Sequence, residues 1–285
     1  EKDRPTPARV ELLDEQGQAF IASDALLIGG DAGKATWNLD KPPMESLEQV
    51  MAHFATRKVI NRYTRTDQFY ADGSFHVSLS PGNYTLRVFK GLEYRIARKR
   101  FEVPPNRTTK LKLKLDRWIA LPEQGWYSGE SHVHIARPFK ELNHSVARQM
   151  QAEDLHVTNL LQWGLVKNFH NSTQYAQGPD GVYQEGDYLL VPGQENPRTP
   201  FLGHTLMLGT RSPINFPDSY LLFHQFWEAA RRQDALPGWA HWAATRGAQD
   251  GIAIDLLDGL LAVLEVIQFD NADYEVWYDA LNLGH

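Results

Sequence analysis

The apolar pattern of this chain changes character near Trp118, and that change limits what it can fold into more than any other feature. Before it, apolar and polar residues alternate in short runs separated by Gly, Pro, Asn and Asp, the pattern of half-buried strands joined by turns. Residues 8–13 read as an opening strand, followed by the turn Asp14-Glu15-Gln16-Gly17. Residues 75–79 and 84–88 alternate on either side of Pro81-Gly82-Asn83, which reads as a hairpin. Residues 94–103 and 109–115 add two strands around Pro104-Pro105-Asn106. In the second of these, Leu111, Leu113 and Leu115 share one face and Lys110, Lys112 and Lys114 the other. Only residues 45–56, after Pro42-Pro43, read as a helix. The expectation for residues 1–117 is a small β-sandwich.

After Trp118 short strands alternate with helices. Residues 141–153 carry Leu142, Val146, Met150 and Leu155 near one stripe of a helix. Residues 157–161, 188–191, 204–209 and 260–269 read as strands, and 219–233 and 272–283 as helices. That order predicts parallel pairing with helices outside, a β/α architecture for residues 118–285.

Composition narrows the chemistry. The chain has 285 residues and no Cys, which removes disulfides, thiolate catalysis and sulfur-ligated zinc. A metal ion would have to use His, Asp and Glu. Residues 1–117 hold 20 Lys+Arg against 15 Asp+Glu, whereas residues 118–285 hold 9 against 20 together with nine of the 11 His. An acidic, His-rich half suits cations and repels polyanions, so nucleic acid is not the expected partner; an ordinary solvated acidic surface is the alternative. No apolar run reaches membrane-spanning length. Without an initiator Met or a signal peptide, the chain is expected to be a processed or excised form.

His132 and His134 lie two apart in a short β-like run, so both imidazoles leave the same face of a strand and can converge on one ion. Surface or core histidines satisfy the same pattern. Glu195 follows the apolar run Tyr188-Leu189-Leu190-Val191, where a carboxylate can bridge two cations or simply face solvent from a loop. His204 opens a mostly apolar strand, as a ligand or as a buried His bonded to backbone. His241 stands between Trp239 and Trp242, in a water-poor metal site or as a filler in an aromatic core. Glu265 is an isolated carboxylate in Leu264-Glu265-Val266, costly unless paired or at a strand end. His53 and His76 read as a helix-surface and a strand histidine.

As a set these residues resemble one family. Gly129-Glu130-Ser131-His132-Val133-His134 resembles the opening GDxHxH of the PHP (polymerase and histidinol phosphatase) superfamily of metal hydrolases. Gly125-Trp126-Tyr127 before it looks like the CehA/McbA, carbaryl-hydrolase-like, branch. Gly193-Gln194-Glu195 and Gly203-His204-Thr205-Leu206-Met207-Leu208-Gly209 are similar to the family's G-x-E and G-H-x-x-x-L-G segments. Ala240-His241 and Leu264-Glu265-Val266 fall in the family order. Residues 72–88 separately resemble carboxypeptidase regulatory-like domains.

The resemblance implies a β-sandwich followed by a PHP-type distorted β/α barrel holding one or two divalent ions (Zn, Mn or Fe) on His132, His134, Glu195, His204 and His241. It implies hydrolysis of a small ester, carbamate or phosphoester. Trp163, Arg198, Trp239 and Trp242 are the candidate substrate contacts, with Arg137 and Lys140 as further phosphate receivers; the Trp residues lean the reading toward a neutral or aromatic ester or carbamate. Two departures stand out. Residues 157–164 contain no Asp or His where the family places T-D-H, and the chain ends before an Asp-x-His segment, so the barrel is expected to be incomplete at its C-terminal side. A non-catalytic metal- or ligand-binding protein is the alternative, and a periplasmic or secreted setting is expected.

Overall fold

The structure is a computed structural model and describes residues 4–29, 55–61, 63–165, 168–199, 202–241, 255–256, 258–268, 271–272 and 274–284. The alternation of the first part produces a five-stranded antiparallel sheet. Its core strand is β1 (Pro7–Asp14); β2 (Ile28–Gly29) and β3 (Ala55–Thr56) form a separate two-residue ribbon, and β4 (Val59–Ile60), β5 (Asp67–Asp72), β6 (Gly82–Phe89) and β7 (Ala97–Val103) complete the sheet in the order β4-β5-β1-β6-β7. Val10, Leu12, Phe69, Ala71, Leu86 and Val88 pack on one face. The turn after β1 forms as its residues predict, with the Asp14 carboxylate accepting from the Gln16 and Gln18 amides at 2.9 and 2.8 Å.

Expectations for this part need correction at several points. The hairpin of residues 75–79 with 84–88 does not form, because β1 and β7 already occupy both edges of β6. Residues 75–79 instead run extended with no ladder, and Phe75, Val77 and Leu79 still face the core. Residues 109–115 behave likewise, burying Leu113 and Leu115 without pairing. Among the described residues, one five-stranded sheet covered by unpaired segments, with the small β2–β3 ribbon, therefore stands where a two-sheet sandwich was expected. Of the helix expected at 45–56, residues 45–54 and with them His53 lie outside the described residues, and Ala55–Thr56 are strand. His76 is exposed and bonded to Asp24 at 2.7 Å.

The second sheet carries nine strands. They are β8 (Gly129–Val133), β9 (Val157–Leu165), β10 (Asn168–Asn171), β11 (Tyr183–Glu185), β12 (Tyr188–Glu195), β13 (Arg198–Thr199), β14 (Gly203–Leu208), β15 (Leu236–Ala240) and β16 (Val263–Leu264), curled into a half-barrel. Its spine runs β10-β9-β12-β14-β15-β16, with β8 on β9, β11 on β12 and β13 on β14. Helix α1 (Asn143–Ala152) buries Val146, Ala147 and Met150 against Leu160 of β9 and Leu190 of β12. Helix α2 (Phe223–Arg231) packs Phe223 and Trp227 against Trp239 of β15. The run 260–269 splits into β16 and β17 (Ile267–Gln268), which pairs with β18 (Asn271–Ala272) ahead of helix α3 (Tyr274–Asn282).

Pairing is parallel for β8–β9, β9–β12 and β15–β16, but antiparallel for β12–β14 and β14–β15. The all-parallel expectation fails at β14 for a local reason. Only residues 196–202 separate β12 from β14, a link too short for a crossover helix, and a short link of that kind returns the chain antiparallel. Strands β8, β9, β12, β15 and β16 thus share one direction, which β14 opposes, as do β10 beside β9 and β11 beside β12. A mixed, β-rich molecule with few helices results, and a complete β/α barrel is not formed by the described residues. No helix among these residues is long and apolar enough to cross a membrane.

The sheets meet through α1. Arg9 of β1 pairs with Glu153 at 2.7 Å, and Tyr70 of β5 donates to the same carboxylate at 2.7 Å. Lys90, buried after β6, donates to the carbonyls of Pro7 and Gln151 at 3.1 and 2.6 Å.

Candidate metal centre

The reversed strand explains how six side chains reach one place. His132 is on the last turn of pleat of β8, His134 just beyond it, Glu195 ends β12, His241 follows β15 and Glu265 follows β16. These are the leading ends of strands that run together. His204 lies at the start of β14, and because β14 is reversed its start adjoins the others' ends. The register makes this concrete: Glu195 stands beside Trp163, Arg198 beside His204, and His204 beside Ala240.

Glu195 is the hub and is fully buried. Its Oε1 lies 2.7 Å from His204 Nδ1 and 3.3 Å from His241 Nε2. Its Oε2 lies 2.9 Å from His134 Nε2 and 3.4 Å from His132 Nε2. The two imidazoles of the HxH pair stand 3.0 Å apart, Nε2 to Nε2, and His204 Nδ1 is 3.2 Å from His241 Nε2. Donor atoms about 2.0–2.1 Å from a common ion stand about 3.0–3.4 Å from one another, so these separations suit coordination. His132, Glu195 and His241 offer ligand atoms that all lie within 4.8 Å of one another.

Hydrogen bonding on the far side of each ring tests the fit further. His134 Nδ1 is 2.9 Å from the Leu161 carbonyl, which can only accept, so Nδ1 carries the hydrogen and Nε2 of the neutral ring turns a lone pair toward Glu195. Glu195 Oε2 is buried and has no hydrogen-bond partner of good geometry. A lone pair facing a carboxylate oxygen at 2.9 Å requires a cation, either a further proton or a metal ion. His132 is held from behind in the same way, its Nδ1 3.0 Å from Glu265 Oε2. Glu265 also accepts from Ser131 Oγ at 2.7 Å and from the His241 amide at 2.9 Å. The donor set is nitrogen and oxygen only, which fits Zn, Mn or Fe without choosing among them.

Electrostatics follow from this packing. Burial pulls the His132 imidazolium down, but hydrogen bonds and charges from Glu195 and Glu265 overcome it and hold the group up at about 10. Burial raises the Glu195 carboxyl, and the four surrounding imidazoles outweigh that and keep it well below the ordinary range. Glu265 is likewise lowered, burial being outweighed chiefly by His132. His204 goes the other way, pushed down by burial and by the charges of Arg198 and His241 against the pull of Glu195.

The candidate substrate residues divide. Arg198 and Trp163 border the cluster: the guanidinium lies 4.1 Å above the Trp163 ring, and the ring is 6.1 Å from His134. Trp239 does not line a pocket. It is fully buried against Phe223 and Trp227, with its Nε1 donating to Asp255 at 3.2 Å. Two residues apart, Trp239 and His241 would share a face in a regular strand, but β15 ends at Ala240 and His241 takes a left-handed φ of 31°, which turns its ring away from the tryptophan core. Trp242 lies outside the described residues. Arg137 cannot receive a phosphate, since it is fully buried and spends its guanidinium on Gln174, Asn143 and the Gly181 carbonyl. Lys140 is exposed on the single turn Lys140–Leu142. Glu265, weighed in the sequence for its isolation among apolar residues, proves to be the carboxylate behind His132. Ser131 and the Leu161 carbonyl carried no sequence signal. A recess of about 300 Å³ lined by Glu130, Ser131, His132, Val263, Leu264, Glu265 and Ile267 adjoins that flank.

No family model matches the chain, and neither the curated proteins nor the solved structures contain a match to it.

Proposed function

We propose that the protein is a metal-dependent hydrolase acting on a small ester, carbamate or phosphoester, with one or two divalent ions held by His132, His134, Glu195, His204 and His241. The observation that carries this reading is the division of Glu195, whose Oε2 faces the HxH pair and whose Oε1 faces His204 and His241. A carboxylate so placed suits a bridge between two cations. The resemblance of the strand-end motifs to the PHP superfamily points the same way.

The chemistry such an ion supplies is acidification of a coordinated water, toward a pKa of about 7, and polarisation of the electrophile's oxygen. The chain's own residues supply the rest. Glu265 and the Leu161 carbonyl fix which nitrogen of His132 and of His134 faces the centre. Glu195, buried and ionised, offsets the positive charge gathered there. Arg198 adds a fixed cation beside it, its Nε 3.1 Å from Glu195 Oε1.

Elemental analysis of the purified chain beside His132→Ala/His134→Ala tests the reading. One or two equivalents of Zn, Mn or Fe in the parent and none in the double variant is the expected result, followed by turnover in a panel of esters, carbamates and phosphoesters. A parent that takes up no metal after soaking would end this reading. The second reading, a binding protein without turnover, draws on the Arg198–Glu195 contact, which gives the buried carboxylate an internal counter-charge. Metal retention with no hydrolysis across the panel would select it.

A further inference from the structure

We infer that the first sheet carries a docking face for the surface of a bilayer rich in anionic phospholipid. It uses none of the residues of the His/Glu centre and is independent of the hydrolase reading.

The sequence concentrates charge in one stretch. Residues 94–117 hold nine Lys+Arg against two Asp+Glu, in a chain whose net charge is -6. The fold then lays the two halves of that stretch side by side. Strand β7 is the last of its sheet, and the segment after Pro104-Pro105-Asn106 returns along it. Thr109 Oγ1 donates to the Glu102 carbonyl at 3.3 Å, the Arg95 amide to the Asp116 carbonyl at 2.8 Å, and the Trp118 amide to the Glu93 carbonyl at 2.9 Å. Between those ties Leu113 and Leu115 pack on the core, which leaves the alternate residues Lys112 and Lys114 exposed. Lys110, Lys112 and Lys114 thus stand along the same edge as Arg98, Lys99 and Arg100. All six are exposed, and none has an ion-pair partner among the described residues. Charges on an edge strand guard it against pairing with another chain. That accounts for the three of β7 but not for the lysines of a segment that joins no ladder.

Apolar groups gather at one end of this edge. Leu92, in the turn ahead of β7, is 93% exposed, and Ile96 is 46% exposed. Trp118 is 56% exposed and stands beside Leu92, its Nε1 donating to the Leu92 carbonyl at 2.9 Å. These side chains select the partner. Nucleic acids and acidic polysaccharides satisfy the cations, and a tryptophan can stack on either, but an exposed leucine and isoleucine gain nothing from a hydrophilic polymer. A bilayer offers hydrocarbon directly beneath a layer of negative headgroups, where Trp partitions well and Lys and Arg meet phosphate. Attraction to headgroups is screened by salt, so insertion of Leu92 and Trp118 supplies the second anchor.

The test uses the full chain, its Lys110→Gln/Lys112→Gln/Lys114→Gln variant and Leu92→Ser. Each is sedimented with vesicles of phosphatidylcholine alone and of phosphatidylcholine mixed with phosphatidylserine, and its binding to heparin and duplex DNA is measured in parallel. The parent should bind the mixed vesicles, leave the neutral ones unbound and be released by raised salt, a readout that needs no variant. The triple variant should bind the mixed vesicles roughly 100-fold more weakly, about fivefold for each cation lost. Leu92→Ser should lose roughly tenfold on vesicles and nothing on heparin. Urea midpoints of both variants should match the parent's, since every substituted side chain is exposed. Equal binding to the two vesicle types, or to neither, would overturn the inference. A Leu92→Ser variant that binds mixed vesicles as the parent does would also overturn it. So would heparin or DNA binding the parent more tightly than the mixed vesicles do, since the edge would then belong to a soluble polyanion.

Discussion

At the scale of single residues, the centre is a problem in placing positive charge around one buried carboxylate. Glu195 is kept ionised, and in the absence of a metal ion His132, held up at about 10, is the proton that answers it. A metal ligand must give up that proton, so metal uptake near neutral pH should release it. The sign is fixed: below about 10 the proton competes with the ion, and the apparent metal affinity should rise roughly tenfold per pH unit. Calorimetric titration in two buffers of different ionisation enthalpy would count the protons, and an uptake without release would contradict the assignment of His132 as a ligand. The same scale shows what the sequence could carry. His132, His134, Glu195, His204 and His241 were legible because each stands at the end of an apolar run, where strands deliver side chains to one edge. Trp239 was placed at the site because it stands near His241 in sequence, whereas its ring is buried with Phe223 and Trp227.

At the scale of elements, strand identity was easier to read than strand pairing. Alternation marks a segment as extended with one face buried, and residues 75–79 and 109–115 meet that description without joining a ladder. Which edge is free depends on strands distant in sequence, such as β1 and β7 beside β6, and alternation carries no information about them. The direction of β14 was similarly hidden, although the shortness of the link 196–202 was the available clue. Close packing between elements bears directly on the centre. Gly238 of β15 lies so near β16 that a Cβ there would sit 2.3 Å from the Val263 carbonyl. Gly238→Ala should therefore push β15 and β16 apart, destabilise the fold by roughly 1–3 kcal/mol and separate His241 from Glu265. Chemical denaturation would give the stability change and metal content the second effect; a variant as stable and as metal-replete as the parent would show that the strands can yield.

At the scale of the whole molecule, the two sheets meet at a polar seam in which Lys90 is the buried cation. Burial lowers it to about 8, against an ordinary lysine value of 10.5. Between those values the unfolded chain holds a proton that the folded chain has lost, so stability should rise with pH across that window, by on the order of 2–3 kcal/mol. Lys90→Met should abolish the rise, as followed by the urea midpoint from pH 7.5 to 10. An unchanged slope would place the titration elsewhere. The division of the molecule into an alternating and a strand–helix part was readable from the change of period near Trp118, but the seam was not, because charged residues such as Arg9, Lys90 and Glu153 look like surface in a sequence.

The reversal of β14 also has a consequence for how such a centre can diversify. Glu195, Arg198 and His204 fall within one short span of sequence, residues 195–204, whereas the HxH pair and His241 come from the ends of β8 and β15. On the proposed reading, the bridging carboxylate, one ligand and a candidate substrate contact thus travel together as a single exchangeable cassette. Swapping or lengthening that cassette would retune what the protein accepts while the imidazoles on the surrounding scaffold stay where they are.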